Sequence, residues 1–233
     1  MSAILLQHDG PVATITLNRP DKLNALSSAV EQELAETLRR LGETRVLVIR
    51  GAGRAFCAGA DVNELGAATP ASALDYYART GQVYEQLAEL AIPSIAQIHG
   101  WCVGGGLELA LACDLRVATA DARFWFPEVE RGILPSSGGT ARVTRSLGAP
   151  LARRLILLGE KLDAPTAVRL GLVHEIGDAQ LVAEWAGTLA SRSRAAIQVT
   201  RTVIAAAADG PQTAAIAIER LAYATLSGID ATE

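Results

Sequence analysis

The order of hydrophobic periods constrains the fold of this chain most. From Ile4 to about Gly138 short apolar strand patterns alternate with helical ones, and beyond Gly138 helical patterns stand almost alone. Residues 4–7 and 12–17 flank the turn His8-Asp9-Gly10-Pro11, and the alternation of Val12-Ala13-Thr14-Ile15-Thr16-Leu17 predicts the second arm of a hairpin. A Ser27 cap followed by Val30, Leu34, Leu38 and Leu41 predicts an amphipathic helix with one buried stripe. Residues 46–49 read as a buried strand, 51–61 as a loop of glycines and small residues, 69–90 as mostly helix, 94–98 as a strand, 107–112 as a helix and 114–118 as a strand. Such alternation predicts parallel βα units. Helices are then expected at 140–147, 151–158, 165–170, 179–191, 195–208 and 213–226, so an α/β core precedes an α-helical C-terminal part. No self-similarity at a 20–50-residue period is present.

Charge narrows the partners. The 233 residues carry 21 Lys+Arg against 25 Asp+Glu, and the net charge of −4 is dispersed with no basic run to track a phosphate backbone. Nucleic acid and an anionic membrane are therefore poor partners. The N-terminal MSAILLQHDG has no basic region or long apolar stretch, which gives no sign of secretion. The uncharged run 90–107 is interrupted by Pro93, Gln97, His99 and several glycines, which disfavours a membrane span. Three cysteines, Cys57, Cys102 and Cys113, lack metal spacing and lie among apolar or glycine residues, the pattern of reduced, mostly buried thiols in a cytoplasmic protein.

Two glycine-rich turns, at residues 57–61 and 104–107, each follow an apolar strand and are expected to precede a helix. Free N–H groups at such turns attract negative charge, and two converging from separate turns make an oxyanion hole. For either turn alone, the alternative is that the glycines serve only close packing. Glu108 lies in Gly-Leu-Glu-Leu-Ala within a segment otherwise uncharged from Leu90 to Cys113, where desolvation raises a carboxyl pKa and a helix N-terminus lowers it. Glu128 follows twenty positions later in Phe-Trp-Phe-Pro-Glu. Taken singly, each reads as a cap or surface glutamate; together, beside glycine turns, they point to paired acid–base work. The sequence has no G-x-S-x-G elbow, dinucleotide fingerprint or P-loop, and His8, His99 and His174 fit no metal spacing.

Asn18-Arg19-Pro20-Asp21-Lys22-Leu23-Asn24-Ala25-Leu26, Ala55-Phe56-Cys57-Ala58-Gly59-Ala60-Asp61, His99-Gly100-Trp101-Cys102-Val103-Gly104-Gly105-Gly106-Leu107-Glu108 and Pro127-Glu128 through Gly138-Gly139-Thr140 resemble the enoyl-CoA hydratase/isomerase, or crotonase, superfamily. Gly171-Leu172-Val173 resembles a later element of the same family, and the match runs in order along essentially the whole chain. The resemblance implies an α/β spiral of ββα units over residues 1–190, then an α-helical trimerisation region over residues 191–233, shorter than is usual in the family. It implies a homo-oligomer, a trimer or dimer of trimers, acting on an acyl-CoA thioester with no metal and no cofactor beyond the coenzyme A of the substrate.

By the same resemblance, the amides of Ala60 and Gly105 form the oxyanion hole, Glu108 and Glu128 are catalytic, and Ala58, Asp61, Val62, Asn63, Trp101 and Gly104 bind substrate. Retention of both glutamates implies a hydratase that adds water to a trans-2-enoyl-CoA in the degradation of fatty acids or related acyl groups. An enoyl-CoA isomerase and a non-catalytic acyl-CoA binder of the same fold are the alternatives. Trp101, Trp125 and Phe126 depart from the usual pattern; facing the acyl end they would shorten the pocket, and facing the core they would not affect it.

Overall fold

A computed structural model describes residues 2–61, 64 and 69–228. The chain opens with the expected hairpin of β1 (Ile4–Asp9) and β2 (Val12–Leu17), followed by helix α1 (Ser28–Leu38), whose first turn is capped by the Ser27 hydroxyl accepting from Val30 N. Three successive units then have one design. Strand β3 (Val46–Gly51) leads to β4 (Ala55–Cys57) and helices α2 (Pro70–Tyr76) and α3 (Gln82–Ala88), which are joined by a π-helical turn at Tyr77–Gly81. Strand β5 (Ser94–Ile98) leads to β6 (Trp101–Val103) and α4 (Gly105–Ala112), and β7 (Leu115–Ala118) leads to β8 (Arg123–Trp125) and then α5 (Gly139–Leu147).

Each unit gives its first strand to one sheet and its second to another. The large sheet runs β1-β2-β3-β5-β7 and ends on β10 (Glu175–Ile176); the small one runs β4-β6-β8 and ends on β9 (Leu162–Asp163). Among the described residues, the strand-to-strand pairings other than β1–β2 and β8–β9 are parallel. This is the spiral of ββα units, with its main core between the sheets and the helices. Helices α6 (Ala149–Leu157), α7 (Ala164–Arg169), α8 (Ala179–Ala190), α9 (Arg194–Asp209) and α10 (Gln212–Leu226) follow, each within two residues of its expected bounds.

The small sheet corrects the reading of residues 51–61 as loop throughout. Its strands β4, β6 and β8 have three residues each, too short to show a period, and Phe56, Cys102 and Phe124 are fully buried. All three cysteines lie in the core, where burial pushes the Cys57 and Cys113 thiols up to about 12.

Asn24 shows how the Asn18–Leu26 segment is fixed. It is buried in a left-handed conformation at φ 58°; its Nδ2 donates to the carbonyls of Ala52, Ala55 and Phe56 while Oδ1 accepts from Arg19 N. Asn24→Ala leaves those groups without their partner and is expected to cost about 2–4 kcal/mol. A lowered urea midpoint with an unchanged slope checks this.

Candidate active site

The first glycine turn obtains its free amide from strand pairing. Ala60 forms an isolated parallel bridge with Leu26, in which Leu26 N donates to Gly59 O and Asp61 N donates to Leu26 O. The flanking groups face Leu26, so the Ala60 N–H points the other way. Most of the residues between this turn and Pro70 lie outside the described residues, and the next helix described after the turn is α2. The second turn behaves as expected, with Gly105 the first residue of α4 and no carbonyl of its own helix to bond.

The two turns touch: a Cβ on Gly59 would lie 3.3 Å from Gly105 N, and one on Gly105 would lie 3.7 Å from Ala60 N. Among the described residues neither N–H has a hydrogen-bond partner. Ala60 and Gly105 are half-buried, each between buried neighbours.

Both glutamates come to this pair. Glu108 lies one turn into α4 and is 4% exposed; its Oε1 accepts from Ser137 N at 2.7 Å and Gly139 N at 2.8 Å, the amides at the start of α5. Gly139 is required here, because a Cβ would fall 2.6 Å from Glu108 Cγ. Burial dominates and raises the Glu108 pKa from 4.5 to about 7, opposed by the Gly139 and Ser137 amides and by Arg142. Glu128, 8% exposed, is raised to about 7 chiefly by burial, with the charge of Glu108 adding to it. A Cβ on Gly104, whose φ is +50°, would sit 2.8 Å from Glu128 Oε1, so the glycine lets the carboxyl lie against the second turn. Among the described residues Glu128 Oε2 is buried with no hydrogen-bond partner.

Several supporting residues escape a sequence-only reading. Ser137 and Gly139 hold Glu108, and Arg142 donates to Ser137 O and Tyr84 O, tying this loop to α3. Buried Arg116 donates to the carbonyls of Ala110, Cys113 and Leu172 and so anchors the C-terminal end of α4. The glycines beginning α5 were the available signal, since the first amides of a helix lack partners within it.

The remaining expected residues divide. Gly104 and Ala58 lie in the two turns; the Asp61 carboxylate is engaged by Arg19 at 3.1 Å and Lys22 at 3.6 Å, binding the first turn to the Asn18–Leu26 segment. Val62 and Asn63 lie outside the described residues. Trp101, the first residue of β6, is 41% exposed. Phe126 is 1% exposed in the core, and Trp125 lies half-buried under Lys161, whose Nζ is 4.1 Å from the ring centroid. Among the described residues no group of His, Cys, Asp and Glu is arranged to hold a metal ion, and no helix is long and apolar enough to cross a membrane.

A ββα spiral carrying two unpartnered amides and two buried carboxyls of raised pKa defines the class of protein. The enoyl-CoA hydratase/isomerase family profile matches residues 7–229, and the chain belongs to that family. It is 35% identical over 237 residues to the 2,3-dehydroadipyl-CoA hydratase of Escherichia coli K12, spanning 99% of this chain and 92% of that protein. To the short-chain-enoyl-CoA hydratase of Clostridium acetobutylicum it is 36% identical, over 76% of this chain and 69% of that one. The crystal structure of an enoyl-CoA hydratase from Thermoplasma volcanium superposes with a TM-score of 0.94 at 31% identity, covering 99% of this chain and 94% of the other.

Proposed function

We propose that the protein is an enoyl-CoA hydratase, adding water syn across the C2–C3 double bond of a trans-2-enoyl-CoA to give a 3-hydroxyacyl-CoA. The observation that carries this reading is the pair of buried glutamates, each raised to about 7 chiefly by burial, with the charge of Glu108 adding to the rise at Glu128, beside the Ala60 and Gly105 amides. Two interacting carboxyls of this kind share one proton near neutral pH, so one serves as base while the other serves as acid.

With Oε1 held by Ser137 and Gly139, the Glu108 carboxylate positions a water through its other oxygen and takes its proton as the water oxygen bonds to C3. The π electrons move onto the thioester oxygen, where the Ala60 and Gly105 N–H groups stabilise the enolate. Removing one such donor typically costs about 2.7–4 kcal/mol of barrier. Glu128 then delivers its proton to C2 as the carbonyl re-forms, and a proton passing from Glu108 to Glu128 through solvent resets the pair. The reading requires no metal and no separate cofactor, because coenzyme A belongs to the substrate.

The reading includes a cytoplasmic location and assembly of the chain as a trimer or dimer of trimers. Support for assembly comes from the C-terminal helices: α9 has no buried residue, α10 buries only Ala215, and Ile204, Leu221 and Tyr223 are 64%, 71% and 73% exposed. Loss of the conjugated thioester absorbance on mixing with crotonyl-CoA tests the activity. Turnover is expected; binding of the thioester with no turnover would favour the non-catalytic reading.

A further inference from the structure

The turn that holds Glu108 meets two side chains of opposite charge. A Cβ on Gly139 would fall 2.6 Å from Glu108 Cγ, and a Cβ on the preceding Gly138 would fall 2.8 Å from Arg142 Cζ and collide with its Nη1. Gly138 is also left-handed at φ +89°, so a larger residue there would be strained as well as crowded. Arg142 on α5 donates through Nη1 to Ser137 O at 2.8 Å and through Nη2 to Tyr84 O of α3 at 3.4 Å, and Glu85 Oε1 lies 3.9 Å from Nη2. Ser137 thus uses both its main-chain groups, its carbonyl for Arg142 and its N–H for Glu108 Oε1 at 2.7 Å. Two hydrogen bonds through one residue link the guanidinium to the base.

We infer that Arg142 is a positioning residue, fixing the turn whose two amides hold one oxygen of Glu108 and so leaving the other oxygen to the attacking water. A guanidinium is a rigid planar fork of permanent charge, so it can set two carbonyls at once where an ammonium sets one. Hydrogen bonds and a nearby cation both favour the charged form of a carboxyl. Burial raises Glu108 to about 7, and the Gly139 amide, the Ser137 amide and Arg142 are the influences that oppose it. The other ionisable groups facing Glu108 are Glu128 after β8, Tyr84 on α3 and Glu31 on α1, the last buried and accepting from the Tyr84 and Tyr76 hydroxyls. All of these remain when Arg142 alone is changed. Without the fork the two amides lose their aim and the cation is gone, so Glu108 becomes a base that ionises only at higher pH.

The inference rests on the hydratase reading, and its test separates the two. The pH dependence of kcat and KM for crotonyl-CoA is compared for the unaltered protein, Arg142→Met and Arg142→Lys. Arg142→Met removes the donors and the charge, so the acid limb is expected to move to higher pH by about half a unit or more, with kcat down about tenfold or more and KM within about threefold. Arg142→Lys restores the charge without the fork and should fall between the other two in both readings. A titration of the Glu108 carboxyl carbon by 13C NMR reads the same upward movement with no substrate, so it holds even if the protein does not hydrate crotonyl-CoA. A Glu108 titration that does not move upward in folded Arg142→Met would overturn the inference whether or not kcat falls, because an arginine that serves only the stability of the fold gives that result. If Arg142→Met does not fold, an unmoved titration in Arg142→Gln overturns it.

Discussion

Glu108→Gln is expected to lower kcat/KM for crotonyl-CoA hydration by about 10²–10⁴-fold, the usual contribution of a positioned general base. The substitution is close to isosteric, and a Gln Oε1 still accepts from Ser137 and Gly139 N, so the loss is one of proton transfer and not of architecture. The same change should stabilise the protein at alkaline pH. Glu108 and Glu128 bind protons more tightly folded than unfolded, with pKa values raised from 4.5 to about 7. Their contribution is fully present below about pH 4.5 and is lost as pH rises through about 7. Glu108→Gln removes its share of that loss, so its Tm should exceed that of the unaltered protein at pH 8 and approach it at pH 5. Activity falling while alkaline stability rises is a signature that a merely structural glutamate would not give.

Gly105→Pro is expected to reduce kcat/KM by about 10²–10³-fold or more, because it deletes one of the two amide donors. Backbone N–H groups are seldom removable without unfolding, but Gly105 is the first residue of α4, where proline is well tolerated. A Cβ at this position lies 3.7 Å from Ala60 N and Leu26 Cδ1, ordinary contacts, and 3.3 Å from the Tyr84 hydroxyl, a tight approach that the phenol must relieve by a few tenths of an ångström. The ring carbon that replaces the amide hydrogen also takes the place of the thioester oxygen, so KM should rise as kcat falls. Circular dichroism and a Tm within about 3 °C of the unaltered protein would show that α4 survives. Full activity in a folded Gly105→Pro protein would mean that the Gly105 amide does not bind the substrate oxygen.

Regular periods made much of the fold legible. Residues 179–191 were expected as a helix and Ala179–Ala190 is one, because its apolar positions recur at helical spacing. The small sheet stayed hidden because Trp101–Val103 and Arg123–Trp125 are too short to carry a period. At the site, the unusual placement of Glu108 in an apolar helix was visible, and its raised pKa settles the contest between burial and helix amides in favour of burial. Glu31 is masked in the sequence by the apolar stripe of Val30, Leu34 and Leu38 on α1. Its spacing of three and seven from Leu34 and Leu38 puts it on that stripe, which is the signal of a buried acid. Tyr84 carries no such mark, since a phenol at an apolar helical position reads as core until its hydroxyl is seen to meet Glu31.

The central claim is that two carboxyls and two amides act on one enoyl thioester. Hydration of crotonyl-CoA in D2O, with the product examined by NMR, tests it most directly. The expected product is 3-hydroxybutyryl-CoA carrying a single deuterium at C2, on the same face as the new hydroxyl. Migration of the double bond or C2 exchange with no hydroxyl at C3, or hydration without facial preference, would contradict it.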